Sequence, residues 1–406
     1  MLTNLTVEEA LEQIAQHVKP LEAEELHIDQ ARGRLLTADV LSPMDQPPFD
    51  RSPLDGYALC SADTAGASHE HPVRLTVSDT VYAGGCPKGP MHSGQAVRIM
   101  TGGMLPQGCD CVIRQEATDL GETEVEIYEE LKPGANYVHA GEDFRAGDVL
   151  LAAGTRLDAA ALAVLSSAGI AMEVARVRVS PAPKVAVICT GDELVYPYVS
   201  PLPQGKIYDS NLTFLTQRLQ ELGVHGESGG EHFVDDPQLV ADSVRHALQW
   251  ADAVITTGGV SVGVKDIMHT VLPLVDADQV FTHTKLKPGT PAIFAMAQGK
   301  PILALSGNPF AAAATFELFG RPMLARLTGD PKLDVTRCTA VLKGSFSKPS
   351  RGRRFIRGSY ANGVVTLPAG HSSGQLRSMV GCNCLVDIPA GSGPLTDGQS
   401  VSVVLL

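Results

Sequence analysis

An apolar run, Ala253-Val254-Ile255, leads into Thr256-Thr257-Gly258-Gly259-Val260-Ser261-Val262-Gly263-Val264-Lys265-Asp266. The run predicts a buried strand that ends in a glycine-rich turn and passes into a helix. In that context backbone N–H groups and a helix N-terminus hold a phosphate or another oxyanion. Asp266 stands just past the glycines, where a carboxylate can hold a divalent metal against that oxyanion. An ordinary strand-to-helix loop, its glycines meeting tight backbone geometry, is the plainer alternative.

Three further segments carry chemistry-bearing side chains. Thr190-Gly191-Asp192-Glu193 follows the apolar run 185–189, so its acidic pair can bind a metal or the hydroxyls of a ribose. Alternatively, the pair begins a helix and favours its dipole. Lys285-Leu286-Lys287-Pro288-Gly289-Thr290-Pro291 offers two lysines beside a Pro-Gly turn, either as point charges for an anion or as solvated loop charge. In Ser306-Gly307-Asn308-Pro309-Phe310, Asn308 reads as a cap and Pro309 as the first turn of an alanine-rich helix. Residues 47–58 and 98–108 read, on their own, as structural loops, with Asp55-Gly56 a common turn pair.

The elements around these segments change style along the chain. Residues 6–18 predict a helix, with Thr6 as N-cap, Glu9 three residues on, and Leu11, Ile14 and Val18 as a stripe. Short β-like runs at 74–77, 96–100, 111–114 and 124–128 predict a small all-β unit, and 156–169 a helix capped by Asp158. From Pro183 strands (184–189, 252–257, 292–296, 301–305) alternate with helices (210–222, 236–250, 266–275, 308–320). That alternation predicts a doubly wound, mostly parallel α/β domain, with ligands at the carboxyl ends of its strands. Beyond about 328, short strands and glycine turns return, predicting a terminal β-barrel or sandwich.

A length of 406 residues predicts two to four domains. The net charge of −13 argues against a nucleic-acid or anionic-membrane partner. Arg351, Arg353, Arg354 and Arg357 form the dense basic cluster, and such runs are usually solvated loop charge. Eight cysteines include no CxxC, and Cys109/Cys111 and Cys382/Cys384 read as buried free thiols rather than a metal site. With no signal peptide and no apolar run of membrane-spanning length, a soluble, cytoplasmic setting is expected.

Taken in order, the motifs resemble the molybdopterin molybdenumtransferase family, the MoeA proteins and the E domain of gephyrin. They are PPFD-x-S-x-x-DGYA (47–58), RIMTGG-x-x-P-x-G (98–108), GED (141–143), TGDEL (190–194) and IYDSN (207–211), followed by TTGGVSVG-x-x-D (256–266), KPG (287–289) and GNPF (307–310). The resemblance spans nearly the whole chain. It implies insertion of molybdate into adenylylated molybdopterin with release of AMP, assisted by a divalent cation such as Mg²⁺. It implies a homodimer in which the α/β domain of one subunit faces the small β domain of the other. A molybdopterin adenylyltransferase is the implied pathway partner.

The implied layout is an elongated dimerisation domain from 1–45 and 138–175, a small β domain at 46–137, a molybdopterin-binding α/β domain at 176–327 and a C-terminal β-barrel domain at 328–406. By resemblance Asp55, Thr101, Glu193, Asp235, Asp266 and Lys287 are the functional polar positions. Glu193 and Asp266 organise metal or water, Lys287 and Thr101 meet oxyanions, and Asp55 reaches across from the partner subunit. Thr190, Gly191, Asp192, Gly258, Gly259, Ser261, Gly263, Pro288, Gly289, Gly307, Asn308 and Pro309 line the implied pterin site.

Departures from the pattern are Thr290 for a lysine, His283 for a further lysine, Ser306 for a proline, Val138-His139 for an arginine pair and Leu54 for a methionine. Two other functions compete with the transferase. One is adenylylation of molybdopterin, against which the DGYA and RIMTGG segments argue. The other is a non-catalytic pterin-binding scaffold, against which the acidic set Asp55, Glu193 and Asp266 argues.

Overall fold

The computed structural model describes residues 1–171, 174–230, 235–260 and 267–406. The expected site residues Ser261, Gly263 and Asp266 therefore lie outside the described residues. The chain divides into two compact units, Met1–Ala23 with Ser180–Leu406, and Glu24–Val179.

The larger unit is built on a seven-stranded sheet in the order Leu2–Leu5, Asp278–Thr284, Ile293–Ala297, Lys300–Leu305, Ala253–Thr257, Lys184–Cys189, His225–Ser228. Its pairings are parallel except the two made by Ile293–Ala297. Successive side chains of one strand serve opposite faces. Val185, Val187 and Cys189 share a core with Leu215 and Leu219 of the helix Asn211–Glu221. Ala186 and Ile188 pack with Val240 and Val244 of the helix Pro237–Trp250. Burial on both faces is why these strands read as unbroken apolar runs.

The first helix, Val7–His17, has the expected capping box between Thr6 and Glu9. It does not stay with the stretch that follows it. Val7, Ala10 and Ile14 are buried with Phe281, Phe319 and Leu327 in the core of the larger unit, and Leu2–Leu5 pairs with Asp278–Thr284. An amphipathic stripe needs an apolar face, and the sheet supplies it. The segment expected as one stretch, 1–45, is thus divided near Glu24.

The helix expected at 308–320 runs further. It proceeds as Pro309–Thr315, a π-helical turn Phe316–Gly320 and Arg321–Thr328. Pro322 does not end it, because it directly follows the π-helical turn, where the regular i→i−4 hydrogen-bond ladder is already interrupted.

Beyond this helix, Thr336–Lys343, Arg353–Ala361, Val364–Thr366, Cys384–Ile388 and Ser400–Leu405 close into a five-stranded barrel. The arginine cluster is not solvated loop charge. Arg353, Arg354 and Arg357 lie on the strand Arg353–Ala361, while Arg351 occupies an exposed bend. Arg357 is 1% exposed, with its guanidinium 3.7 Å from the Phe310 ring centre and hydrogen bonds to the carbonyls of Ser372 and Gln375. Arg353 pairs with Asp387 and Glu8. These arginines tie the barrel to its neighbours.

In the smaller unit a five-stranded sheet runs Cys111–Arg114, Gly56–Leu59, Gln95–Ile99, Val73–Val81, Glu124–Ile127. Gly56–Leu59, expected as loop, is an interior strand with every residue buried. Gly56 is required there, since a Cβ would lie 1.8 Å from the Ile113 carbonyl oxygen. Two two-stranded sheets, Glu24–His27 with Arg176–Val179 and Val40–Leu41 with Val149–Leu151, surround a core of their own. The helix Ala159–Ser167, capped by Asp158, packs its Leu165 with Ile28, Leu36 and Val179.

All eight cysteines are free thiols. Burial pushes the Cys384 thiol up to about 12, so it stays protonated and is a poor ligand. Among the described residues there is no group of three or more His, Cys, Asp or Glu placed to hold a metal, and no helix long and apolar enough to cross a membrane.

Candidate active site

Lys184–Cys189, Ala253–Thr257 and Lys300–Leu305 are neighbours in the sheet, so their carboxyl ends are adjacent. The three loops that leave them share one cavity of about 1630 Å³. Thr190, Gly191, Glu193, Asp235, Gly258, Gly259, Gly307, Asn308 and Pro309 line it, together with Lys287, Pro288 and Gly289. The loops are also bonded to each other. The Thr190 N–H donates to the Thr257 carbonyl at 2.8 Å, and the Gly258 N–H to that of Leu305 at 3.1 Å.

Glycine is forced at the points of closest approach. Gly258 has φ +94°, and a Cβ there would sit 2.2 Å from the Thr190 carbonyl oxygen. Gly289 has φ +100°, and its Cβ would lie 2.3 Å from Thr315 Cγ2. Only glycine adopts these angles without steric cost.

Asp192 and Glu193 do not begin a helix. They lie in a turn before Leu194–Val195, and the Glu193 carboxylate folds back over Gly191. Asp192 joins the site through Asp235, whose N–H donates to Asp192 Oδ1 at 3.1 Å. Asn308 occupies the cap position of its helix, but its side chain makes no capping hydrogen bond.

Leu286–Lys287 pairs in parallel with Arg353–Arg354, which brings the barrel against the cavity. Lys343, Lys348, Arg354 and His371 from the barrel line the same space. Burial, followed by the nearby charges of Arg357 and Lys348, pushes the His371 imidazole below its ordinary range. The cavity therefore has two kinds of wall. Its carboxylates Glu193, Asp209 and Asp235 come from the α/β layer, and its cations from Lys287 and the barrel. Such a space suits an anionic ligand held beside hard oxygen donors.

Asp55 and Thr101 belong to the smaller unit, where they meet directly. The Thr101 N–H and Oγ1 each donate to Asp55 Oδ1 at 2.7 Å. These bonds, the backbone one foremost, hold the Asp55 carboxyl below its ordinary range. Of the departures from pattern, Thr290 donates its hydroxyl to the Leu286 carbonyl at 2.7 Å, and His283 Nδ1 meets Thr282 Oγ1 at 2.8 Å.

Three family profiles match the chain: the MoeA N-terminal region (domain I and II) at residues 5–169, the probable molybdopterin binding domain at 186–326, and the MoeA C-terminal region (domain IV) at 339–406. A molybdopterin molybdenumtransferase of Staphylococcus epidermidis is 33% identical over 408 residues, covering 99% of this chain and 96% of its own. That of Staphylococcus aureus is 33% identical over 406 residues, covering 99% and 95%. The crystal structure of a molybdopterin biosynthesis MoeA protein from Pyrococcus horikoshii superposes with a TM-score of 0.87 at 33% identity, covering 99% of both chains. A second MoeA structure from that organism gives 0.82 at 28%, covering 99% of this chain and all of its own. The chain belongs to the MoeA family of molybdopterin molybdenumtransferases.

Proposed function

We propose that the protein inserts molybdate into adenylylated molybdopterin and releases AMP. The observation that carries this reading is the cavity with one carboxylate-bearing and one cationic wall, on a chain whose net charge is −13. Molybdate and the phosphate link of an adenylylated pterin are both anions, so bringing them together requires positive charge and N–H donors. Lys287 supplies a point charge, and the loop at Gly258-Gly259 supplies close backbone approach.

Mg²⁺ takes oxygen ligands and commonly binds through one or two carboxylates plus substrate phosphates. Glu193 on the cavity wall is a donor of that kind, and Asp266 is its partner by resemblance. When bound, the ion offsets negative charge between the two anions. Asp55, kept ionised by Thr101, is an acceptor brought to the cavity by the small β domain of a partner subunit in a homodimer. In this reading 46–137, 176–327 and 328–406 act as separate domains beside a two-segment dimerisation element. A molybdopterin adenylyltransferase provides the substrate, and the reaction takes place in the cytoplasm.

The test is AMP release from adenylylated molybdopterin with Mg²⁺, with and without molybdate. Molybdate-dependent release is expected. Tight binding of the adenylylated pterin without release would overturn the reading in favour of a scaffold. Lys287→Ala is expected to lower kcat/KM about 10²-fold, the order of losing one donor to a developing oxyanion. A loss under threefold would remove Lys287 from the site.

A further inference from the structure

The peptide between Gly307 and Asn308 is held from both sides. On one side the Asn211 Nδ2 donates to the Gly307 carbonyl oxygen at 2.9 Å. On the other, the Asn308 N–H donates to Ser306 Oγ at 3.3 Å. Both side chains are buried, at 7% exposure for Asn211 and 8% for Ser306. A buried donor or acceptor is costly to leave unmet, so each bond resists rotation of the peptide plane.

Asn211 is itself fixed. Its own N–H and that of Leu212 donate to Asp209 Oδ1 at 2.8 and 3.3 Å, which pins the start of the helix Asn211–Glu221. Its amide also reaches Thr257 Oγ1 at 3.4 Å, at the end of the neighbouring strand. Two N–H donors on one planar group are what an asparagine amide offers and an aspartate does not. Gly307 lies against the Gly258 loop, since a Cβ on Gly307 would be 3.5 Å from Gly258 Cα.

We propose that Asn211 and Ser306 are paired positioning residues that lock the Gly307–Asn308 peptide plane and thereby set the substrate-lining loop 306–309 against the Gly258 loop. Neither is a catalytic residue. Ser306 has a role open to this chain in particular, because a proline at that position has no hydroxyl to accept the Asn308 N–H. The consequence for catalysis rests on the transferase reading above. The lock itself does not.

The test uses the full chain with Asn211→Asp, Ser306→Ala and the double variant. Asn211→Asp sets an acceptor against the Gly307 carbonyl, and Ser306→Ala removes one oxygen. Hydrogen exchange at the Asn308 amide should quicken at least tenfold in each single variant. The KM for adenylylated molybdopterin should rise about tenfold in Asn211→Asp, with kcat within threefold. A merely lower folded fraction would leave KM unmoved. Because both bonds hold one plane, the double variant should lose little beyond Asn211→Asp alone. Unchanged Asn308 exchange in Ser306→Ala, or losses that multiply in the double variant, would overturn the lock. If the unaltered protein releases no AMP with molybdate, the transferase reading fails, while the exchange measurement still decides the lock.

Discussion

Gly258→Ala is expected to lower kcat/KM for molybdate-dependent AMP release by about 10²-fold or more. The added methyl would lie 2.2 Å from the Thr190 carbonyl oxygen and 2.7 Å from Thr190 Oγ1. Neither atom is the loose end of a flexible chain. Thr190 is held by its N–H bond to the Thr257 carbonyl, in the strand beside it. Relief therefore requires the two strand-end loops to part by roughly 1 Å, and a misplacement of that size is enough for such a loss.

The φ of +94° adds a backbone penalty, which a control can separate. Gly299 has φ +75° in a hairpin and open space around its Cβ position. Gly299→Ala carries the backbone cost without the clash, so it should lose stability and keep activity. Equal activity losses in the two variants would show that strain alone, not loop separation, governs the site.

The parts of the site legible in the sequence are those built from local order. A buried strand followed by a glycine turn is contiguous, so the sequence places 190–193, 257–266 and 306–309 at strand ends, and described residues of each border the cavity. What escaped is what folding brings from afar. Lys343, Lys348, Arg354 and His371 reach the cavity because Leu286–Lys287 pairs with Arg353–Arg354, more than sixty positions away. The arginine run was a visible signal, yet a run of charge does not reveal that one of its members packs against Phe310.

The strand Gly56–Leu59 escaped for a different reason. With all four residues buried it shows no alternation, and its opening Asp-Gly mimics a turn. The expected helix 308–320 stops short of the segment Arg321–Thr328, because the π-helical turn Phe316–Gly320 that carries the chain onward has no simple sequence mark.

Glu317→Gln is expected to destabilise the larger unit by about 3–5 kcal/mol, the range for removing one partner of a buried ion pair. The Glu317 side chain is 2% exposed and stands in the π-helical turn. It accepts from Arg218 Nε at 2.7 Å and from Arg321 at 3.2 Å, so one carboxylate balances two guanidiniums. Arg321 in turn donates to the carbonyls of Leu333, Asp334 and Leu405, joining the helix to the entry and exit of the barrel. Glutamine preserves shape and some hydrogen bonding but removes the counter-charge of the buried Arg321 and leaves Arg218 with Glu221 alone. The chain's single tryptophan, Trp250, ends a helix of the same unit, so its fluorescence in a urea titration reports the relevant transition. The midpoint should fall with the slope unchanged. A destabilisation under about 1 kcal/mol would mean that Arg218 finds water or Glu221, already 2.8 Å away, as its partner, and that the ion pair guides geometry more than stability.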